Sequence, residues 1–218
     1  MEGKSVGWKK TSAIVFIVFG LCLAYAIVRY NIVRSVPFDN LPLFIANKAI
    51  ALSATILIGL SFLLGPLAHV WTGLIPHLYL RKHLGVIGFG VAALHTLMSL
   101  ALLDKTYYPK FYTESGKFNL MGESALLFGI LSFLIFSVIA ITSLPPIEKH
   151  MHPGQWKLVQ RMGYLAYFFV LLHVTVMGFA GWFNPDSWKY GLASISLIAA
   201  LFIIFVLLVR ILSIGFKK

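Results

Sequence analysis

The run Arg81-Lys82-His83-Leu84-Gly85-Val86-Ile87-Gly88-Phe89-Gly90-Val91-Ala92-Ala93-Leu94-His95-Thr96-Leu97-Met98-Ser99 decides how the chain is read. It opens on a basic cluster, Arg81, Lys82 and His83, then continues without a charge. One histidine, His95, sits deep in the apolar part. Three, seven and ten positions before it stand Ala92, Gly88 and Gly85. On a helix, offsets of three and seven stay close to the His95 face and ten drifts toward its edge. An imidazole therefore rises from a face stripped of bulk, against which something flat can lie. A second segment repeats the arrangement, with His173 preceded at the same offsets by Val170, Ala166 and Gly163. Two histidines on two cleared faces point to one ligand held between two helices.

Composition sets the surroundings. Of 218 residues, 59% are hydrophobic and only 11% charged, where a soluble domain carries roughly a quarter charged residues. Several apolar runs reach the ~20 residues needed to cross a bilayer. The expectation is an all-α integral membrane bundle of six transmembrane helices, with residues 1–218 forming one domain. The net charge of +11 sits in short loops between spans, so membrane topology explains it and nucleic acid is not an expected partner. A single cysteine, Cys22, excludes an intrachain disulfide and a cysteine-based metal cluster.

The expected spans run over about 12–28, 43–67, 84–103, 124–144, 158–179 and 188–214. The first is too long for a signal-peptide core and lacks a small-x-small cleavage site. Pro66 is expected to break the second, and Pro145-Pro146 stops the fourth. The longest loop, 104–121, carries Tyr107, Tyr108, Phe111 and Tyr112 among Lys and Asp. Loop charges set the orientation. One side holds both termini, the 68–83 loop and the 145–157 loop, with eleven basic residues against Glu2 and Glu148. The other has seven basic against five acidic residues. Both termini are expected to be cytoplasmic, in a bacterial cytoplasmic membrane. The third and fifth spans then run in the same direction, and both imidazoles fall at one depth in the outer half.

There are seven histidines. His69, His77, His83, His150 and His152 fall at span ends or in loops, where interfacial polar side chains are ordinary. His150-x-His152 has metal-ligand spacing but no evident third ligand. His95 and His173 differ, because an ionisable group inside a span is costly and usually functional. The plainer reading is that each hydrogen-bonds a neighbouring helix. Iron in a haem plane, with one neutral imidazole on each side, needs the paired arrangement. A non-haem metal would want further carboxylate or histidine ligands at that depth.

The chain resembles the ferric-reductase-like transmembrane domain superfamily over about residues 44–182. That superfamily includes the NADPH oxidase membrane domain, the six-transmembrane (STEAP) metalloreductases and the haem-binding subunit of the periplasmic methionine sulfoxide reductase system. The resemblance rests on Leu64-Gly65-Pro66-Leu67-Ala68, on Arg81-Lys82-His83-Leu84-Gly85 leading to Ala93-Leu94-His95-Thr96, and on Trp156-Lys157-Leu158-Val159-Gln160-Arg161-Met162-Gly163-Tyr164-Leu165-Ala166-Tyr167 leading to Leu171-Leu172-His173. It implies one haem b with His95 and His173 as axial ligands. Gly88, Ala92, Ser99, Gly163, Ala166, Phe169 and Met177 complete the expected haem-binding set. Lys48, about one turn inside the outer end of the second span, is a candidate partner for the propionates or a snorkelling lysine. Members with two haems carry a second histidine pair nearer the cytoplasm. The corresponding positions here are Arg81 and Gln160, so the resemblance is to a single-haem variant.

The implied function is electron transfer across the bilayer to an outer-side acceptor: ferric iron, oxygen or a partner protein. No Gly-x-Gly-x-x-Gly or Walker-type loop is visible. The expected donor is therefore a separate flavin reductase with FAD or FMN, or a membrane quinol. Arg81, Lys82, Trp156, Lys157, Gln160 and Arg161 form a basic and aromatic rim that suits a flavin's phosphate and ring, or that simply orients the protein. Lys105, Tyr107, Lys110 and Tyr112 are candidates to line an acceptor site for an anionic iron chelate, or form the interfacial aromatic belt. Two other readings stand beside this one. A haem-free transporter or structural protein uses the histidines as polar glue and is colourless. A quinol-linked cytochrome b561-like protein wants four span histidines where two lie well inside.

Overall fold

The computed structural model of the chain describes residues 2–184, 186 and 188–215. The side chains of residues 2–6 lie outside the described residues, so the charges read at Glu2 and Lys4 fall there, as do those of Lys217 and Lys218. Seven α-helices follow in order: α1 Glu2–Ala26, α2 Ala46–Val70, α3 Leu80–Ala101, α4 Leu120–Thr142, α5 Pro145–Glu148, α6 Pro153–Trp182 and α7 Ile195–Gly215. Among the described residues, six helical segments are long and apolar enough to cross a membrane, and α5 is a short connector. The chain is an all-α membrane bundle.

Local chemistry sets the helix ends. The Asn119 side chain accepts from the Gly122 amide at 3.0 Å and caps α4. His152 caps α6, accepting from Gly154 N at 3.2 Å, and Pro153 occupies the first helical position. Pro66 does not break α2, contrary to the sequence reading. The helix continues to Val70, and Trp71 N still reaches Leu67 O at 2.7 Å. Pro66 forgoes only the one ladder bond to the Phe62 carbonyl, and the helix runs on around it. α3 begins at Leu80, so Arg81 and Lys82 belong to the helix.

α2 is the central element. In its most apolar stretch 61% of residues are buried, against 11% to 28% in the other spans. It packs on α1, α3 and α7, while α6 packs on α4 and α7. Lipid is as apolar as leucine, so close packing and hydrogen bonds, more than exclusion of water, hold such helices together. Tyr167 of α6 shows how. It is fully buried, and its hydroxyl donates to the Thr55 carbonyl of α2 at 2.9 Å. Gly59 makes the room, since a Cβ there would lie 2.5 Å from the Tyr167 oxygen and 2.4 Å from Phe202.

The connection from α3 to α4 folds over one end of the bundle. Tyr112 and Phe118 form an antiparallel bridge and stack at 4.7 Å, and Gly116 turns the chain between them with φ +79°. Asn119 N returns to Phe111 O at 2.9 Å. Tyr108, Phe111, Leu102 and Ala125 bury one another beneath this loop. Burial pushes the Tyr108 phenol above its ordinary pKa.

Candidate functional site

The bundle encloses a cavity of about 720 Å³, within the range usual for cofactor and ligand sites. α2, α3, α4, α6 and α7 wall it, and Tyr107 to Lys110 of the α3–α4 loop cover one end. His95 of α3 and His173 of α6 both line it and are close enough to interact electrostatically.

Each ring is held by one nitrogen. His173 Nδ1 lies 2.8 Å from the Ala125 carbonyl of α4, and His95 Nδ1 lies 2.7 Å from Asn47 Oδ1 of α2. Both oxygens only accept, so both Nδ1 atoms carry the proton. The lone pair is then on Nε2 in both rings. The Asn47 amide is oriented in turn by its Nδ2, which donates to Ser99 Oγ at 2.9 Å. A carbonyl-type oxygen on the far ring nitrogen is the usual support of a metal-bound imidazole. Gly129 of α4 clears space for the His173 ring, since a Cβ there would lie 3.2 Å from its Nδ1.

One end of the cavity is cationic. Arg29, Arg34, Lys48 and Lys110 line it. The Lys48 ammonium lies 4.2 Å from the Phe44 ring centroid, 5.4 Å from Tyr30 and 5.8 Å from Tyr108, a cation held among aromatic faces. The Lys110 ammonium donates to the Met177 carbonyl of α6. Loss of hydration, and secondarily the charge of Lys48, holds its pKa below the ordinary lysine value.

The sequence pattern described as "Ferric reductase like transmembrane component" matches residues 50–171. The chain belongs to this family. Among its curated relatives, Metalloreductase STEAP2 of Homo sapiens and of Mus musculus are each 25% identical over 211 residues, covering 80% of this chain. Metalloreductase STEAP3 of Rattus norvegicus is 24% identical over 198 residues, covering 74% of it. The chain spans less than half the length of these relatives, 43% for the first and 41% for the last.

Within this ferric-reductase-like bundle the residues singled out from sequence divide into two groups. Lys48, Ala92, His95, Ser99, His173 and Met177 meet at the cavity. Gly88, Gly163, Ala166 and Phe169 do not line it. A Cβ on Gly88 would lie 2.8 Å from Ile58 of α2, and one on Gly163 would lie 2.7 Å from Phe62. Ala166 is fully buried in a core cluster with Ile58 and Phe136, and Phe169 stacks on Phe128 at 6.3 Å. The clearing at Gly88, Gly163 and Ala166 lets helices approach one another. The same face of α3 meets the cavity at His95 and meets α2 two turns away at Gly88.

Arg81, Gln160 and Arg161 also lie away from the cavity. The Arg81 guanidinium packs over Gly65, Gln160 Nε2 donates to Ser143 Oγ at 3.1 Å, and Arg161 is exposed. Nearby, Arg210 sits 5.1 Å over the Tyr164 ring, and Trp156 has a buried indole nitrogen without a hydrogen-bond partner among the described residues. His69 and His150 place Nδ1 against the Gly65 and Pro146 carbonyls. Among the described residues, no three His, Cys, Asp or Glu side chains group as metal ligands. Asn47 escaped the sequence reading, although an amide inside an apolar span beside Lys48 was a visible signal.

Proposed function

We propose that the protein carries single electrons through the membrane as a one-haem ferric-reductase-like oxidoreductase, in which His95 and His173 would hold one haem b. One observation carries this reading: two imidazoles line one cavity, each with Nδ1 committed to an oxygen and Nε2 left for iron. The residues present suit the group. A haem is flat, carries two carboxylates and takes neutral imidazole ligands. The cavity supplies paired imidazoles, and its cationic end supplies partners for carboxylates. Haem b in this place supplies reversible one-electron iron chemistry. The protein's part is to hold the two rings, to neutralise negative charge with Lys48 and its neighbours, and to cover the cavity with the aromatic loop.

The name of these relatives, metalloreductase, supports ferric iron as the acceptor, met on the side where Lys105 and Lys110 lie. The arginines away from the cavity, at the other end of the bundle, support a cytoplasmic donor. Arg81, Arg161 and Arg210 are cations suited to phosphate, and the Trp156 indole offers a buried donor without a partner among the described residues. A flavin, FAD or FMN reduced by a soluble flavin reductase, fits that chemistry; a membrane quinol is the rival donor. Both termini then face the cytoplasm.

Visible spectra of the purified protein, oxidised and reduced, test the central claim. One haem per chain with a low-spin bis-imidazole spectrum is expected, lost in His95→Ala and in His173→Ala. A spectrum unchanged in either variant refutes the ligand assignment. For the donor, Arg81→Gln is expected to slow haem reduction by a flavin reductase with FAD and NAD(P)H while leaving the spectrum intact. Rapid reduction by a quinol analogue without flavin binding refutes the flavin step.

A further inference from the structure

The two candidate ligands are supported differently. His173 leans on a main-chain carbonyl, which no side-chain substitution removes. His95 leans on a side chain, Asn47, which is itself 1% exposed and comes from another helix, 48 residues away. An amide has two faces. With its oxygen toward His95, the ring must keep its proton on Nδ1 and offer Nε2 as a lone pair. With the amide reversed, its NH₂ group would face Nδ1 and pull the lone pair there, leaving Nε2 protonated and unable to bind metal. Ser99 holds the far end of the amide. Its hydroxyl lies 2.9 Å from Asn47 Nδ2 and 3.4 Å from His95 Nδ1, one turn along α3 from the ring it serves.

We infer that Asn47, oriented by Ser99, is a positioning residue that sets the tautomer of His95 and, through the strength of the Nδ1–H···Oδ1 bond, the reduction potential of the metal group His95 holds. The inference rests on the haem reading above. The physical link is charge. An acceptor on the far nitrogen raises the basicity of the ligating nitrogen, and a stronger acceptor favours the more positively charged, oxidised metal. A carboxylate in place of the amide is a stronger acceptor of the same shape. An alkyl side chain is none.

The experiment compares purified full-length wild type, Asn47→Asp, Asn47→Leu and Ser99→Ala by haem titration, optical redox titration and low-temperature EPR. Asn47→Asp is expected to keep haem and to shift the ferric-to-ferrous equilibrium toward ferric about tenfold, a potential lower by about 59 mV for one electron. Asn47→Leu is expected to weaken haem affinity roughly 10- to 100-fold, the usual cost of removing such a partner. Ser99→Ala, a small change, is expected to give two EPR populations, because the amide then loses the hydrogen bond that holds its far end. Haem-loaded Asn47→Asp and Ser99→Ala with wild-type potential and wild-type g-values overturn the inference while leaving the haem reading intact. A wild type that takes up no haem, or a His95→Ala that keeps the bis-imidazole signal, overturns both, and the two failures are distinguishable on the wild-type and His95→Ala samples alone.

Discussion

Gly129→Ala separates the site from the scaffold. An alanine Cβ there would stand 3.2 Å from His173 Nδ1 and 3.4 Å from Cε1. Relaxed contacts between such atoms lie at about 3.5–4.0 Å, so the ring must retreat by roughly 0.3 Å. The retreat acts on the bond between Nδ1 and the Ala125 carbonyl, one turn earlier on the same helix and now 2.8 Å long. Movement along that bond stretches it to about 3.1 Å, near the end of the favourable range for N–H···O. Weakening one hydrogen bond costs up to about 0.5–1.5 kcal/mol, which is roughly 2- to 12-fold in haem affinity. The helix itself gains, because alanine is favoured over glycine in a helix interior by about 1 kcal/mol. The expected pair of results is weaker haem binding and an apo-protein at least as stable as wild type. Haem titration followed by absorbance, with thermal unfolding of the haem-free protein in detergent, measures both. Wild-type haem affinity would refute the reasoning about the His173 ring. A destabilised apo-protein would show that Gly129 serves packing instead.

Gly59→Ala drives a Cβ into Tyr167 and Phe202 at 2.4–2.5 Å, and overpacking of this kind costs about 1–3 kcal/mol; thermal unfolding in detergent is expected to show the loss. For Lys110 the folded protein disfavours the ammonium, so between its lowered pKa and the ordinary 10.5 the folded state binds fewer protons than the unfolded state. Stability should then rise with pH across that window. Lys110→Met is expected to remove that part of the rise, and an unchanged pH profile in the variant refutes it. Glu148→Gln removes the ion pair with Lys82, whose partners are 43% and 35% exposed. Less than about 1 kcal/mol should be lost, as for other surface pairs, and a larger change in unfolding midpoint would mean the pair holds α3 to the α4–α6 connection.

Six spans and two intramembrane histidines were legible in the chain itself, because both signals are local. About twenty apolar residues in a row have few other uses than crossing a bilayer, and an imidazole among them is conspicuous whatever surrounds it. The identity of the family was legible for the same reason, in short runs around His95 and His173. The meaning of Gly88, Gly163 and Ala166 was not. Gly88 lies close to the His95 face of α3, and periodicity alone assigns both to one surface. Which surface meets a ligand depends on what stands opposite at each depth: α2 presses on Gly88 through Ile58, and only nearer His95 do the helices part around the cavity. The supports of the two rings were likewise decided by the fold. Asn47 and Ala125 each lie 48 residues from the histidine they hold, and a hydrogen bond between helices is set by how those helices cross, which no local pattern of residues records.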